Sequence, residues 1–314
     1  MEVFLQILLL VAGFAMLIKG ADWFVDGASG IADRLGIPEI IIGLTIVAMG
    51  TSAPEAAISI SSALKGSADI AVGNVVGSNI LNILVILGFT ALIAPLAVQK
   101  STIRYEIPFV IIISAVFSAI GLFDNYVGLF DGIVLLVLFA MYLVYLFIMA
   151  KQGPTDADEE KEKTRNGKKP AKLLLFVLIG CVVIVAGSNI AVDAATAIAK
   201  ICGMSERFIG LTIVAFGTSL PELVTSVIAA GKGNTDIAIG NIVGSNIFNI
   251  LFVIGISALI TPVEYQTGFL VDSIICAGSV LLLLIFVSNR EHKLKHWGGA
   301  IMLLSYGAYF IYLI

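Results

Sequence analysis

Apolar residues run in long stretches separated by short polar breaks: Val3–Ile18, Ile40–Leu64, Ala68–Val98, Ile107–Phe123, Val127–Met149, Leu173–Ala199, Phe208–Ala230, Thr235–Thr261, Gly268–Val287 and Trp297–Ile314. A hydrocarbon core about 30 Å thick is crossed by about 17–25 helical residues, more when the helix tilts. The pattern therefore predicts an all-α polytopic membrane protein with ten transmembrane helices. The short alternating segments of a membrane β-barrel are missing. The first stretch follows an acidic Glu2, has no small-residue cleavage site after it, and is followed by more apolar sequence. It reads as a span rather than a signal peptide.

Composition agrees and adds orientation. Of 314 residues, 59% are hydrophobic and 13% charged, at a mean hydropathy of +1.06, about half the charge of a soluble domain. Soluble enzymes, nucleic-acid binders and secreted disulfide scaffolds are excluded, and the net charge of −4 offers no basic field for a polyanion. Cys181, Cys202 and Cys276 are unclustered and form neither a metal set nor a disulfide framework. With the N-terminus outside, 15 basic residues fall in inner loops and only Lys65, Lys200 and Arg207 in outer ones. The positive-inside rule then puts both termini outside a cell membrane. Lys151–Lys172 holds 12 of the 40 charged residues and reads as a cytoplasmic linker, too short to bury a core.

Shifting the chain by 167 residues aligns 36–98 with 203–265 without a gap, at 36 identities in 63 positions. Gly43–Glu55 (GLTIVAMGTSAPE) meets Gly210–Glu222 (GLTIVAFGTSLPE), and Asp69–Leu84 meets Asp236–Leu251. The offset also relates Gly20 to Gly187, Asp26 to Asp193 and Tyr142 to Tyr309. Residues 1–150 and 172–314 are thus two five-helix repeats joined by a 151–171 linker. An odd number of spans inverts the second repeat, an architecture of alternating-access transporters with the substrate site where the repeats meet.

Glu55 and Glu222 lie inside apolar runs, where a carboxylate is costly and by default marks a functional site. Thr51 and Ser52 stand one helical turn before Glu55, and Thr218 and Ser219 before Glu222. Pro54 and Pro221 remove backbone donors, so carbonyls near Ala48 and Gly50, and near Ala215 and Gly217, are expected to face a polar cavity or an ion. Ser78 with Asn82, and Ser245 with Asn249, add hydroxyl and amide oxygens at a spacing of four. The inventory is hard oxygen donors without sulfur or imidazole, suited to Ca²⁺ or Na⁺ rather than zinc or copper. Gly73, Gly77, Gly240 and Gly244 are expected to serve helix packing. Asp26, Asp193, Asp69 and Asp236 fall near expected helix ends, as capping or solvated residues. His292 and His296 are expected in a solvated loop.

The duplicated G-T-S-x-P-E and G-N-x-x-G-S-N-x-x-N motifs resemble those of the sodium/calcium exchangers of the calcium/cation antiporter superfamily, in their compact prokaryotic form. The resemblance covers essentially the whole chain. It implies overlapping Ca²⁺ and Na⁺ sites among four central helices, with ligands at Ala48 (carbonyl), Thr51, Ser52, Glu55, Ser78 and Asn82, and at Ala215, Thr218, Ser219, Glu222, Ser245 and Asn249. It also implies that the first and sixth helices slide past this core. Asparagine at both 82 and 249 resembles potassium-independent exchangers, and the G-N-x-x-E signature of proton-coupled calcium exchangers does not occur.

Charge balance agrees with exchange. Two carboxylates offset one Ca²⁺, are overcompensated by three Na⁺, and are uncompensated when empty, so an empty site should resist the motion that a loaded one permits. Exchange of more than two Na⁺ per Ca²⁺ is electrogenic. The alternative within the class is a Ca²⁺/H⁺ antiporter with Glu55 and Glu222 as proton carriers. A channel is disfavoured by inverted, Pro-broken repeats. An intramembrane enzyme is disfavoured because no Ser/His pair or aspartate dyad lies at membrane depth. No cofactor, nucleic acid or obligatory protein partner is implied; the species bound are the transported ions and the lipid bilayer.

Overall fold

The computed structural model describes residues 2–66, 69–151, 170–204, 215–265 and 269–313. The first repeat contains α1 (Glu2–Leu35), α2 (Glu39–Thr51), α3 (Ala53–Leu64), α4 (Ile70–Ile93), α5 (Glu106–Asp124) and α6 (Leu129–Lys151). The second contains α7 (Pro170–Ile201), α8 (Ala215–Thr218), α9 (Leu220–Gly231), α10 (Thr235–Ile260), α11 (Phe269–Val287) and α12 (His296–Leu313). Each element of the first repeat has its 167-residue image six labels later. Among the described residues seven helices are long and apolar enough to cross a membrane, and α2 with α3, bent by 51°, makes an eighth. With α12 and the part of the α8–α9 span that is described, the described residues carry the ten spans of an all-α membrane protein. The start of the span containing α9 lies outside the described residues, as do 152–169 of the expected 151–171 linker; at its ends Lys151 closes α6 and Pro170 opens α7.

The centre is occupied by α4 and α10, of which 72% and 83% is buried, against 17% for α1 and 22% for α6. Both central helices widen into a π-helical turn, Asn82–Leu87 in α4 and Asn249–Val253 in α10, a distortion that frequently marks functional sites. α2 and α3 break at Ser52, and α8 and α9 at Ser219, each two residues before a proline that opens the following helix. Proline there has the right φ and lacks only a donor that a helix start does not use.

The inversion is visible in the packing of α1 on its image α7. Added Cβ atoms would meet backbone at 2.7 Å for Gly13 (Ala191), 2.9 Å for Gly20 (Ile184) and 2.8 Å for Gly27 (Leu173). As residue numbers rise along α1 they fall along α7, so the two helices are antiparallel. Glycine at seven-residue intervals keeps one face free of side chains and lets the backbones touch. α1 is longer than the apolar run predicted: the helix continues past Lys19 to Leu35, so Asp26 lies inside it rather than at its end. Those charges are tolerated because Lys19 pairs with Asp22 at 2.7 Å and Lys232 with both Asp22 and Asp26.

Two short antiparallel bridges tie the repeats together. β1 (Leu96–Ala97) pairs with β4 (Lys293–Leu294), and β2 (Tyr126–Val127) with β3 (Val263–Glu264), each pairing being the 167-residue image of the other. Beside the first lie the two histidines expected in a solvated loop; His292 is in the loop, and His296 opens α12. His292 donates no side-chain bond here but its carbonyl accepts from Val98 N at 2.8 Å, and His296 Nδ1 contacts the Ala91 carbonyl at 2.7 Å. Gly240 and Gly244 pack against α2, within 2.7–2.9 Å of its backbone for an added Cβ, as expected for packing glycines. Their images are Gly73 and Gly77, and the images of the α2 residues that Gly240 and Gly244 pack on fall at 207–215, of which 207–214 lie outside the described residues.

Candidate ion site between the repeats

Each helix break delivers a glutamate to the protein centre. Glu55 is in the first turn of α3 and Glu222 in the first turn of α9, 1% and 0% exposed. A carboxylate at this position is stabilised by the positive end of its helix. The break changes one expectation: Thr51 ends α2, so Thr51 and Ser52 do not share a continuous helix face with Glu55. Ser52 instead reaches across the repeat boundary and donates to Glu222 Oε1 at 2.8 Å, while Ser219 donates to Glu55 Oε1 at 3.3 Å. Each repeat's serine therefore holds the other repeat's glutamate. The two carboxylates lie within each other's electrostatic field.

The asparagines are arranged the same way. Asn82 Nδ2 donates to Asn246 Oδ1 and Asn249 Nδ2 donates to Asn79 Oδ1, both at 3.0 Å. Asn79 and Asn246 also donate to each other's backbone carbonyls, at 3.3 and 3.2 Å. With the amide nitrogens of Asn82 and Asn249 occupied, their oxygens are left without a donor. Glu55 Oε2 and Glu222 Oε2 are likewise buried and without a donor. These four oxygens are two symmetry-related pairs. α9 packs on the π turn that Asn82 opens, and α3 on the one that Asn249 opens. A buried acceptor without a partner costs about 1–3 kcal/mol, more when charged; carboxylate and amide oxygens are what a hard cation takes as ligands.

A second tier positions these groups. Asn241 Nδ2 donates to the Glu222 carbonyl at 3.3 Å and to Ser226 Oγ at 2.9 Å, and its Oδ1 accepts the Thr51 hydroxyl at 2.9 Å. Asn74 repeats this with the Glu55 carbonyl at 3.2 Å and Ser59 at 2.9 Å. Asn74, Asn79, Asn241 and Asn246 are not among the ligands expected from the sequence, although all four stand in the duplicated motif at the common offset. Ser78 is 5% exposed, Ser245 is fully buried with its hydroxyl 3.4 Å from the Ala48 carbonyl, and Thr218 is half-buried.

The carbonyls behave differently from expectation. That of Ala48 accepts Ser52 N within the helix at 3.0 Å, and also the Thr51 hydroxyl at 3.3 Å and the Ser245 hydroxyl at 3.4 Å. Gly50 and Gly217, four residues before the prolines, have the freed carbonyls. Both turn to α7: the Cys181 thiol donates to Gly50 O at 3.6 Å and the Ser188 hydroxyl to Gly217 O at 2.9 Å. No group of three or more His, Cys, Asp or Glu side chains clusters among the described residues, leaving the site with two carboxylates.

At one end of the molecule α1 is fastened to the second repeat. Lys232, which follows α9, lies 2.6 Å from both Asp22 and Asp26. Partial burial pulls its amine down, but the two aspartates outweigh this and hold it above the ordinary lysine value, so the link stays charged at neutral pH. The image of Lys232 is Lys65, and that of Asp26 is Asp193. Both are exposed and make no ion pair with each other or with another described residue. One end of the α1–α7 pair is latched and its mirror image is not.

Inverted repeats, broken helices at the centre and a buried oxygen-lined site define a secondary membrane transporter. The family profile described as sodium/calcium exchanger protein matches residues 5–148 and 172–314, and the chain belongs to that family. It is 40% identical over 306 residues to the putative antiporter CaxA of Alkalimonas amylolytica, covering 95% of each chain. It is 32% identical to the sodium/calcium exchanger MaX1 of Methanosarcina acetivorans, covering 98% of this chain and 97% of that one. Its fold superposes on the sodium-calcium exchanger NCX_Mj, in a structure soaked with Na⁺ and Ca²⁺, with a TM-score of 0.85 at 31% identity, covering 99% of both.

Proposed function

We propose that the protein is a secondary antiporter exchanging Na⁺ for Ca²⁺ by alternating access, with the ions bound between the repeats. The observation that carries this reading is the set of four buried, donor-less oxygens on Glu55, Glu222, Asn82 and Asn249, in symmetric pairs. One Ca²⁺ neutralises the two carboxylates and takes these oxygens as ligands. The hydroxyls of Thr51, Ser52, Ser78, Thr218, Ser219 and Ser245 and the carbonyls of Ala48 and Ala215 complete the sites that Na⁺ occupies in its place. Two amides instead of a third carboxylate favour potassium-independent, electrogenic exchange.

The latch supports the alternating step. The positive-inside reading puts both termini outside and Lys232 inside, so the pair closed here seals the cytoplasmic face. Sliding of α1 and α7 along the core would break Lys232–Asp26 and bring Lys65 towards Asp193 on the outer face. Ion loading permits that motion because it cancels the charge of Glu55 and Glu222. Ca²⁺/H⁺ exchange is the competing reading. Proteoliposomes loaded with ⁴⁵Ca²⁺ separate the two: efflux driven by a Na⁺ gradient at fixed pH supports this proposal, and efflux driven by a pH gradient alone contradicts it.

A further inference from the structure

On the flank of the first repeat, between α5 and α6 and away from the ion site, lies a groove of about 410 Å³. That is within the range of about 300–1,000 Å³ typical of small-ligand sites. Its polar wall carries Glu106, Tyr142 and Tyr145, with Arg104 and Tyr105 at the rim. Glu106 is 1% exposed; one carboxyl oxygen accepts the Tyr145 hydroxyl, and the other, Oε2, makes no hydrogen bond, the buried Thr102 hydroxyl being the neighbouring donor to this carboxyl group. The Tyr142 hydroxyl is also buried and unpartnered. Neither group serves the ion site, and the acid has no symmetric counterpart, because the image of Glu106 is Ser273.

The surroundings give this open carboxylate a specific shape. Phe109 stacks on Tyr142 at 5.8 Å and Tyr142 on Tyr145 at 6.5 Å, so aromatic rings flank the acid. A carboxylate among aromatic rings is a receptor for an ammonium group. Two residues away Arg104 is exposed, its guanidinium 5.9 Å from the Tyr105 ring, with no ion pair among the described residues. It suits a phosphate held outside the ammonium. Beyond these groups the groove continues over Ile112 and Met141, 58% and 62% exposed on the apolar flank. Arginine and tyrosine are the residues expected at headgroup level.

We propose that this groove binds an amine phospholipid of the phosphatidylethanolamine kind. The headgroup ammonium donates to Glu106 Oε2 and rests on Tyr142, the phosphate meets Arg104, and an acyl chain follows Ile112 and Met141. Phosphatidylcholine carries no N–H to donate to Glu106, and phosphatidylglycerol carries no cation. Phosphatidylserine would bring a second carboxylate towards Glu106.

Native mass spectrometry of the full-length protein, titrated with phosphatidylethanolamine, phosphatidylcholine and phosphatidylglycerol of identical chains, tests this. Wild type should retain the ethanolamine lipid about fivefold or more over the other two, as one charge-assisted hydrogen bond implies. Glu106→Gln should bring that retention down to the choline level, and Arg104→Gln should weaken binding of all three phosphate-bearing lipids. Tyr142→Phe, which removes a single hydroxyl and guards against a folding defect in the glutamate variant, should also lower the preference. Equal retention of the three lipids by wild type, a preference for the glycerol lipid, or an ethanolamine preference unchanged in both Glu106→Gln and Tyr142→Phe would overturn the proposal.

Discussion

Ser52 of the first repeat donates to Glu222 of the second at 2.8 Å, and its image Ser219 donates to Glu55 at 3.3 Å. Neither repeat can therefore build its half of the site alone. The serines leave Oε1 of each glutamate engaged and Oε2 open, which fixes where a cation would meet the carboxylate. Ser52→Ala should weaken Ca²⁺ affinity about tenfold or more, the size of a hydrogen bond to a charged group. Ser219→Ala should do less, its contact being longer. The apparent Michaelis constant in ⁴⁵Ca²⁺ flux measures both; equal wild-type values in both variants would show that these bonds do not set the site.

Asn79 and Asn246 should act on ion affinity without touching the ion. Each holds the amide nitrogen of the asparagine across the boundary, so that Asn249 and Asn82 point their oxygens at the site. Asn79→Ala frees the Asn249 amide to turn and should lower Ca²⁺ affinity while the protein stays folded by thermal melt. Asn249→Asp adds a third acid. Transport in this variant should become more pH-dependent between about 6 and 8, because a proton and a cation compete for a buried carboxylate beside two others. An unchanged pH profile would mean that position 249 does not face the ions.

The Lys232–Asp26 link and the Lys65–Asp193 gap should exchange roles during transport. In a background without native cysteines, Lys232→Cys with Asp26→Cys should cross-link readily in the conformation described here. Lys65→Cys with Asp193→Cys should cross-link only in the opposite one, and each cross-link should arrest flux. Simultaneous cross-linking of both pairs in one population of molecules would rule out the reciprocal latch.

The α1–α7 interface tolerates no side chain at Gly187, where an added Cβ would stand 2.8 Å from the Gly13 carbonyl oxygen. Gly187→Val should push the helices apart, lowering the melting temperature and slowing exchange together. Gly231→Ala, where the added Cβ has nothing within 4 Å, is the matched control and should change neither.

Much of this was legible in the sequence because the chain states its plan twice. The 167-residue offset exposed the repeat, the odd span count its inversion, and Glu55 and Glu222 stood out because apolar solvent makes isolated acids conspicuous. What the pattern missed is cross-boundary geometry. Thr51, Ser52 and Glu55 read as one helix face, since periodicity does not register the 51° bend before Pro54. The freed Gly50 and Gly217 carbonyls looked like ion ligands, yet both are answered by α7, through Cys181 and Ser188, a pairing no local rule predicts. Asn79 and Asn246 were hidden by proximity, lying beside more familiar donors in the same motif. The Lys232 latch joins residues 206 or more positions apart, and its charges interrupt an apolar run that in fact continues as helix to Leu35.

The most direct measurement is equilibrium binding of ⁴⁵Ca²⁺ to the purified protein at fixed pH, with Na⁺ as competitor, in wild type and in Glu55→Gln and Glu222→Gln. Wild type should bind one Ca²⁺ per chain, since two carboxylates balance one divalent ion, and Na⁺ should displace it cooperatively. Each glutamine variant should lose Ca²⁺ binding nearly completely while melting as a folded protein, because a divalent ion in a buried site needs both charges. Ca²⁺ binding that ignores Na⁺, or that survives at wild-type affinity in either variant, would contradict a shared two-carboxylate site between the repeats.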